Sequence, residues 1–126
     1  MKFKQLMRAA LLALSAVAVN TAVAHGAGKP LHGGIVQVAN DVSFELVVEA
    51  DGATIYLVDH DEPMDAKGIS GKLTVLKGGE KSELELKAIG DNKLRATGVK
   101  IGSGAKVVAV LNKIEGKTVT VRFSVK

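Results

Sequence analysis

The strongest constraint on this chain is an apolar–polar alternation of period two that recurs from Ile35 onward. Val42, Phe44, Leu46 and Val48 alternate with Ser43, Glu45, Val47 and Glu49, and Val119, Val121, Phe123 and Val125 alternate with Thr118, Thr120, Arg122 and Ser124. Alternation of this kind places every second side chain on one face of a pleated strand, so it selects half-buried strands over helices. Asp51-Gly52 predicts a tight hairpin leading into a partner strand over residues 53–58. Leu73 and Val75 mark another strand, ended by Gly78-Gly79. Leu84, Leu86 and Ala88 alternate with charged residues up to Gly90-Asp91-Asn92, and a short strand follows over residues 93–97. Residues 106–111 are apolar on both faces and read as a central strand. Roughly seven or eight short strands with regular turn signals predict an antiparallel, immunoglobulin-like β-sandwich over residues 35–126. A small closed barrel is the competing architecture. No helical stripe, internal repeat or low-complexity tract accompanies the strands.

The first residues obey different rules. Lys2, Lys4 and Arg8 precede an apolar run over residues 11–19 that is short for a bilayer span, and Ala22-Val23-Ala24 then offers a small-x-small cleavage site. Residues 1–24 therefore read as a secretory signal peptide. Removing them takes away three of the 17 basic residues and none of the 13 acidic ones, which leaves a net charge of +1. A balanced surface gives no electrostatic case for nucleic acid or anionic lipid. One tyrosine, three phenylalanines and no tryptophan leave little for base stacking. The absence of cysteine excludes disulfides and thiolate metal sites. No second apolar run approaches spanning length, so the expected product is exported, periplasmic and free of membrane insertion after cleavage.

Cleavage after Ala24 would make His25 the first mature residue. A terminal histidine presents its α-amine and ring Nδ1 to one metal ion in a six-membered chelate, and a second imidazole completes three nitrogens, a set that suits Cu(II). His32 is seven residues further on, within a glycine-rich arm over residues 25–34 that also contains Pro30. The third histidine, His60, belongs to Asp59-His60-Asp61-Glu62-Pro63-Met64-Asp65. There the carboxylates suit hard cations, the imidazole suits Cu(II) or Zn²⁺, and the Met64 thioether suits Cu(I). The bland reading of this stretch is a solvated turn with Met64 packed under the sheet edge. Asp59 or Asp61 can also orient a histidine ring from outside the ligand set. The candidate metal residues are thus His25, His32, His60, Asp59, Asp61 and Met64.

Catalytic patterns are weak by comparison. Ser43, Ser70, Ser82, Ser103 and Ser124 fall in alternating strands or turns, and none follows a nucleophile-elbow pattern. The glycine pairs around Ser70 and Ser103 precede strands, so no helix N-terminus is available to hold phosphate. The expectation is a protein that is not an enzyme.

His32-Gly33-Gly34-Ile35-Val36, Phe44-Glu45-Leu46-Val47 and Tyr56-Leu57-Val58-Asp59-His60 followed by Pro63 resemble a periplasmic module. It is similar to the N-terminal β-domain of adaptor (membrane-fusion) subunits of heavy-metal efflux pumps, and to small exported proteins sharing that pattern. The resemblance implies an all-β periplasmic domain associated with copper, zinc, cobalt or cadmium handling, with an efflux pump as possible partner. A more distant likeness is to periplasmic copper-resistance sandwiches whose mature chain opens on histidine. The resulting expectation is a metal-binding protein taking Cu(II) first and Zn²⁺ second. The alternative is a metal-independent interaction module.

Overall fold

A computed structural model describes residues 28–126; the segment read as a signal peptide and His25 lie outside the described residues. The described chain is all-β: β1 (Ile35–Ala39), β2 (Val42–Glu49), β3 (Gly52–Asp59), β4 (Glu62–Pro63), β5 (Ser70–Lys77), β6 (Glu80–Gly90), β7 (Lys93–Thr97), β8 (Lys106–Ile114) and β9 (Lys117–Ser124). Every pairing is antiparallel, and the strands form one sheet in the order β1-β2-β3-β7-β6-β5-β8-β9, with β4 added beside β3. The end strands β1 and β9 come side by side without a hydrogen-bonded register, so the sheet curls almost into a barrel. The immunoglobulin-like two-sheet sandwich is therefore replaced by a single nearly closed sheet. Pairing of β3 with β7 is what joins the two halves of the chain into that sheet.

The curl encloses one core. Phe44, Leu46, Ile55, Leu57, Leu94, Leu111 and Phe123 have at most 2% of their surface exposed, and they come from five strands around the wall. The loops before β5 and before β8 close the ends with Ala66, Ile69, Ile101 and Ala105. Hairpin chemistry follows the residues that tolerate positive φ. Asn40-Asp41, His60-Asp61, Gly78-Gly79 and Glu115-Gly116 each place both turn residues there. The first hairpin of the β2–β3 pair is set one residue earlier than Asp51-Gly52 predicts. Glu49 faces Gly52, so Ala50 and Asp51 form the turn and Gly52 begins β3. There its missing Cβ lets the Ala96 carbonyl of β7 approach. Residues 106–111 are paired on both sides, by β5 and β9, although β9 beyond them is an end strand.

Candidate functional site

The outer face of β2 and β3 should be solvated, because Phe44 and Leu46 take the inner face. Yet Glu45, an outward residue of β2, is only 5% exposed. The cause is the glycine-rich arm, which folds back over this face. Gly33 has φ of 73°, a reversal open to glycine, and Gly34 passes so close to β2 that a Cβ would collide with the Leu46 carbonyl.

Glu45 fastens the arm. Its Oε2 accepts hydrogen bonds from the amides of His32 and Gly34, both at 2.8 Å, and its Oε1 accepts from the Leu31 amide at 3.0 Å. The Nδ1 of His32 meets Oε1 at 3.0 Å. Burial is the largest single influence on the Glu45 pKa and raises it. The Gly34 amide, the His32 ring and the His32 and Leu31 amides together outweigh burial and hold the carboxyl below its usual 4.5. The His32 ring lies flat on Tyr56, with centroids 3.6 Å apart and planes inclined by 8°. Tyr56 is the residue of β3 directly opposite Glu45. The side chain of His32 remains 39% exposed. With the carboxylate ionised, Nδ1 is the donor, and in the neutral ring the lone pair is then on Nε2.

His60 repeats the arrangement at the β3–β4 turn. Its Nδ1 is 2.5 Å from Oδ1 of Asp59, and its side chain is 82% exposed. In the neutral ring the lone pair is again on Nε2. Between the arm and the sheet runs a groove of about 310 Å³, lined by Gly28, Lys29, Leu31, Val36, Ser43, Glu45, Val58 and Asp61. The upstream end of the arm therefore shares a groove with the residue next to His60.

The candidate residues are only partly gathered. His32 is over Tyr56, His60 and Asp59 pair at the turn, and Asp61 borders the groove. Met64 packs against the core and donates its amide to the Leu57 carbonyl, as expected of a packing residue. His25 lies outside the described residues. Among the described residues, no three histidine, aspartate or glutamate side chains converge on a point that could hold a metal ion. Glu45 is the residue that pattern reading passed over. In sequence it is one more outward polar residue of β2, and nothing local says that the arm will cover it.

Comparison of the chain with protein-family models, curated proteins and solved structures finds no significant match.

Proposed function

We propose that this is an exported periplasmic metal-binding protein, taking Cu(II) first and Zn²⁺ second and linked to heavy-metal handling. The observation that supports the reading is that both described histidines have Nδ1 tied to a carboxylate, His32 to Glu45 and His60 to Asp59. A ring so tied has, in its neutral form, a fixed tautomer and a fixed orientation with Nε2 left to coordinate, which is how metal-ligating histidines are commonly prepared. Processing after Ala24 would add the amine and ring of His25, so that one metal ion meets three nitrogens once a prepared ring joins them. The role proposed is holding or passing on metal rather than catalysis. The test is a Cu(II) titration of the processed protein followed by electron paramagnetic resonance. One tightly bound Cu(II) with nitrogen coordination is expected. Loss of that coordination when one residue is added before His25 would confirm the part played by the amine. Indifference to both Cu(II) and Zn²⁺ would refute the reading.

A second reading is a metal-independent interaction module, and one observation favours it. Val47, Val48 and Glu49 of β2 have no β1 residue opposite them, and Val47 and Val48 border a groove that Ser124 and Val125 line from the β9 side. An extended segment of another protein could pair there. Partner binding that persists in chelator and protects the outward-pointing amides of this stretch from hydrogen exchange would establish it.

A further inference from the structure

We infer that one end of the nearly closed sheet, where Lys77, Lys81, Lys100, Lys106 and Arg122 surround the exposed Leu76, docks on an anionic lipid surface. This surface is independent of the metal-binding reading. The net charge of +1 expected for the processed chain conceals how that charge is laid out. Residues 35–66 hold eight of the 13 acidic residues and no Lys or Arg. Residues 67–126 hold 13 of the 17 basic residues and only five acids. A field this uneven attracts anions to one side whatever the total, so the case against anionic lipid drawn from the total lapses.

Antiparallel pairing gathers the basic residues. One row crosses four neighbouring strands: Lys81 of β6 faces Leu76 of β5, Leu76 faces Lys106 of β8, and Lys106 faces Ser124 of β9. Strands are about 4.8 Å apart, so the row is roughly 14 Å long. Its side chains point outward, because Val75 and Val107 beside them take the core. Arg122 is two residues before Ser124, on the same outer face of β9. Lys77 ends β5, and its ammonium lies against Gly102, where a Cβ would crowd it. Lys100 lines the same groove as Lys77 and Gly102.

Little neutralises this end. Among the described residues Lys72 pairs with Glu83 and Arg95 with Glu49, and none of the five cations is in an ion pair. The Lys106 ammonium donates to the Ser124 hydroxyl at 2.9 Å. Glu80, opposite Lys77, is the acid inside the patch. Glu49 and Asp51 share the end but belong to the β2–β3 hairpin, across the sheet from β5 and β8. The turns that carry Asp41, Asp61, Asp91 and Glu115 are all at the opposite end. An anionic plane therefore attracts one end and repels the other, which orients the molecule.

The chemistry of the patch suits lipid. Four of its five cations are lysines, mobile point charges without the fixed fork that grips one phosphate or carboxylate in a set geometry. A laterally mobile array of anionic headgroups makes no demand for such geometry. Nucleic acid would call for stacking, yet Phe44 and Phe123 are buried and Tyr56 is under the His32 ring. Leu76 is 38% exposed between Lys81 and Lys106. An apolar side chain flanked by lysines fits the boundary between headgroups and acyl chains. The arm and its Glu45 clasp are on the β2–β3 wall and take no part.

The experiment is cosedimentation of the exported protein with vesicles in the presence of chelator. Vesicles of phosphatidylcholine containing phosphatidylglycerol are compared with phosphatidylcholine alone, and circular dichroism verifies the fold of each variant. Binding to the anionic vesicles only is expected, and it should vanish near 1 M salt, where charges are felt over only about 3 Å. Lys81→Gln/Lys106→Gln should weaken it about 30-fold, at about fivefold per charge. Lys113→Gln/Lys117→Gln removes the same charge from the opposite end and should leave binding near the wild-type value. Leu76→Ala should weaken binding several-fold without changing its salt dependence. Equal losses in the two double variants, or equal binding to both kinds of vesicle, would overturn the inference. So would failure to bind vesicles together with a salt-sensitive self-association that Lys81→Gln/Lys106→Gln abolishes, which would make the acidic end of a second copy the partner. The metal-binding reading is untouched by any of these results.

Discussion

At the scale of single residues, Glu45 matters most, because it is the acceptor for three arm amides and a ring while buried on a face that is otherwise wet. Its pKa is lowered in the folded protein. The clasp therefore contributes its full stabilisation above the usual carboxylate value of 4.5, and loses it progressively as pH falls through the lowered value. A built-in reporter exists: Tyr56 is the sole tyrosine, there is no tryptophan, and His32 is stacked on it. In metal-free protein, acidification below about 4.5 should shift Tyr56 emission toward that of an uncovered tyrosine. Glu45→Gln should show the uncovered emission already at neutral pH. Hydrogen bonds to a charged acceptor contribute about 1.5–3 kcal/mol, and here that energy holds an arm rather than the core. The far-ultraviolet melt should accordingly change little. A wild-type emission that stays constant down to pH 2 would show that the carboxylate is not the fastening.

At the scale of elements, the strands were legible and their arrangement was not. Val42, Phe44, Leu46 and the β9 residues announce themselves because the period of a strand is local. Which strand lies beside which depends on contacts across the whole chain, such as Tyr56 facing Lys93 in the β3–β7 pair, and no local pattern encodes them. That is why a sandwich and a barrel read alike from sequence. Ala88 shows the limit even within an element: it continues the β6 alternation but is exposed, since β6 buries only Leu86 fully. The arm was missed for a related reason, as its partner, Glu45, is more than ten residues away along the chain. Gly34, the joint between arm and β1, is the element-scale test. Gly34→Ala pushes a Cβ into the Leu46 carbonyl and against Val47. Overpacking of this sort costs about 1–3 kcal/mol. The strain has two outlets, a lower melting temperature or detachment of the arm, and Tyr56 emission separates them. Neither change occurring would mean that β1 and β2 can part without cost.

At the scale of the whole molecule, the nearly closed sheet and the proposed metal ligands draw on different residues of the chain. One continuous core from Val42 to Phe123 closes without any histidine, so the fold should stand in the presence of chelator. Metal stabilises the folded state only by the difference between its affinities for folded and unfolded chain. On the proposed reading the amine and ring of His25 sit on one residue and would chelate equally well after unfolding. Only the contribution of a ring that the fold holds in place, His32 or His60, would be lost on melting. If that contribution is about tenfold in affinity, stabilisation is capped near 1.4 kcal/mol however much metal is added. Zn²⁺ titrated into the processed protein should therefore raise the melting temperature by a few degrees and then reach a plateau. In the double variant His32→Ala/His60→Asn the rise should vanish while Zn²⁺ still binds. A melting temperature that climbs steadily with the logarithm of Zn²⁺ concentration would mean that the unfolded chain has no affinity of its own. The ligands would then all belong to the barrel, and the terminal histidine would have no part in holding the metal.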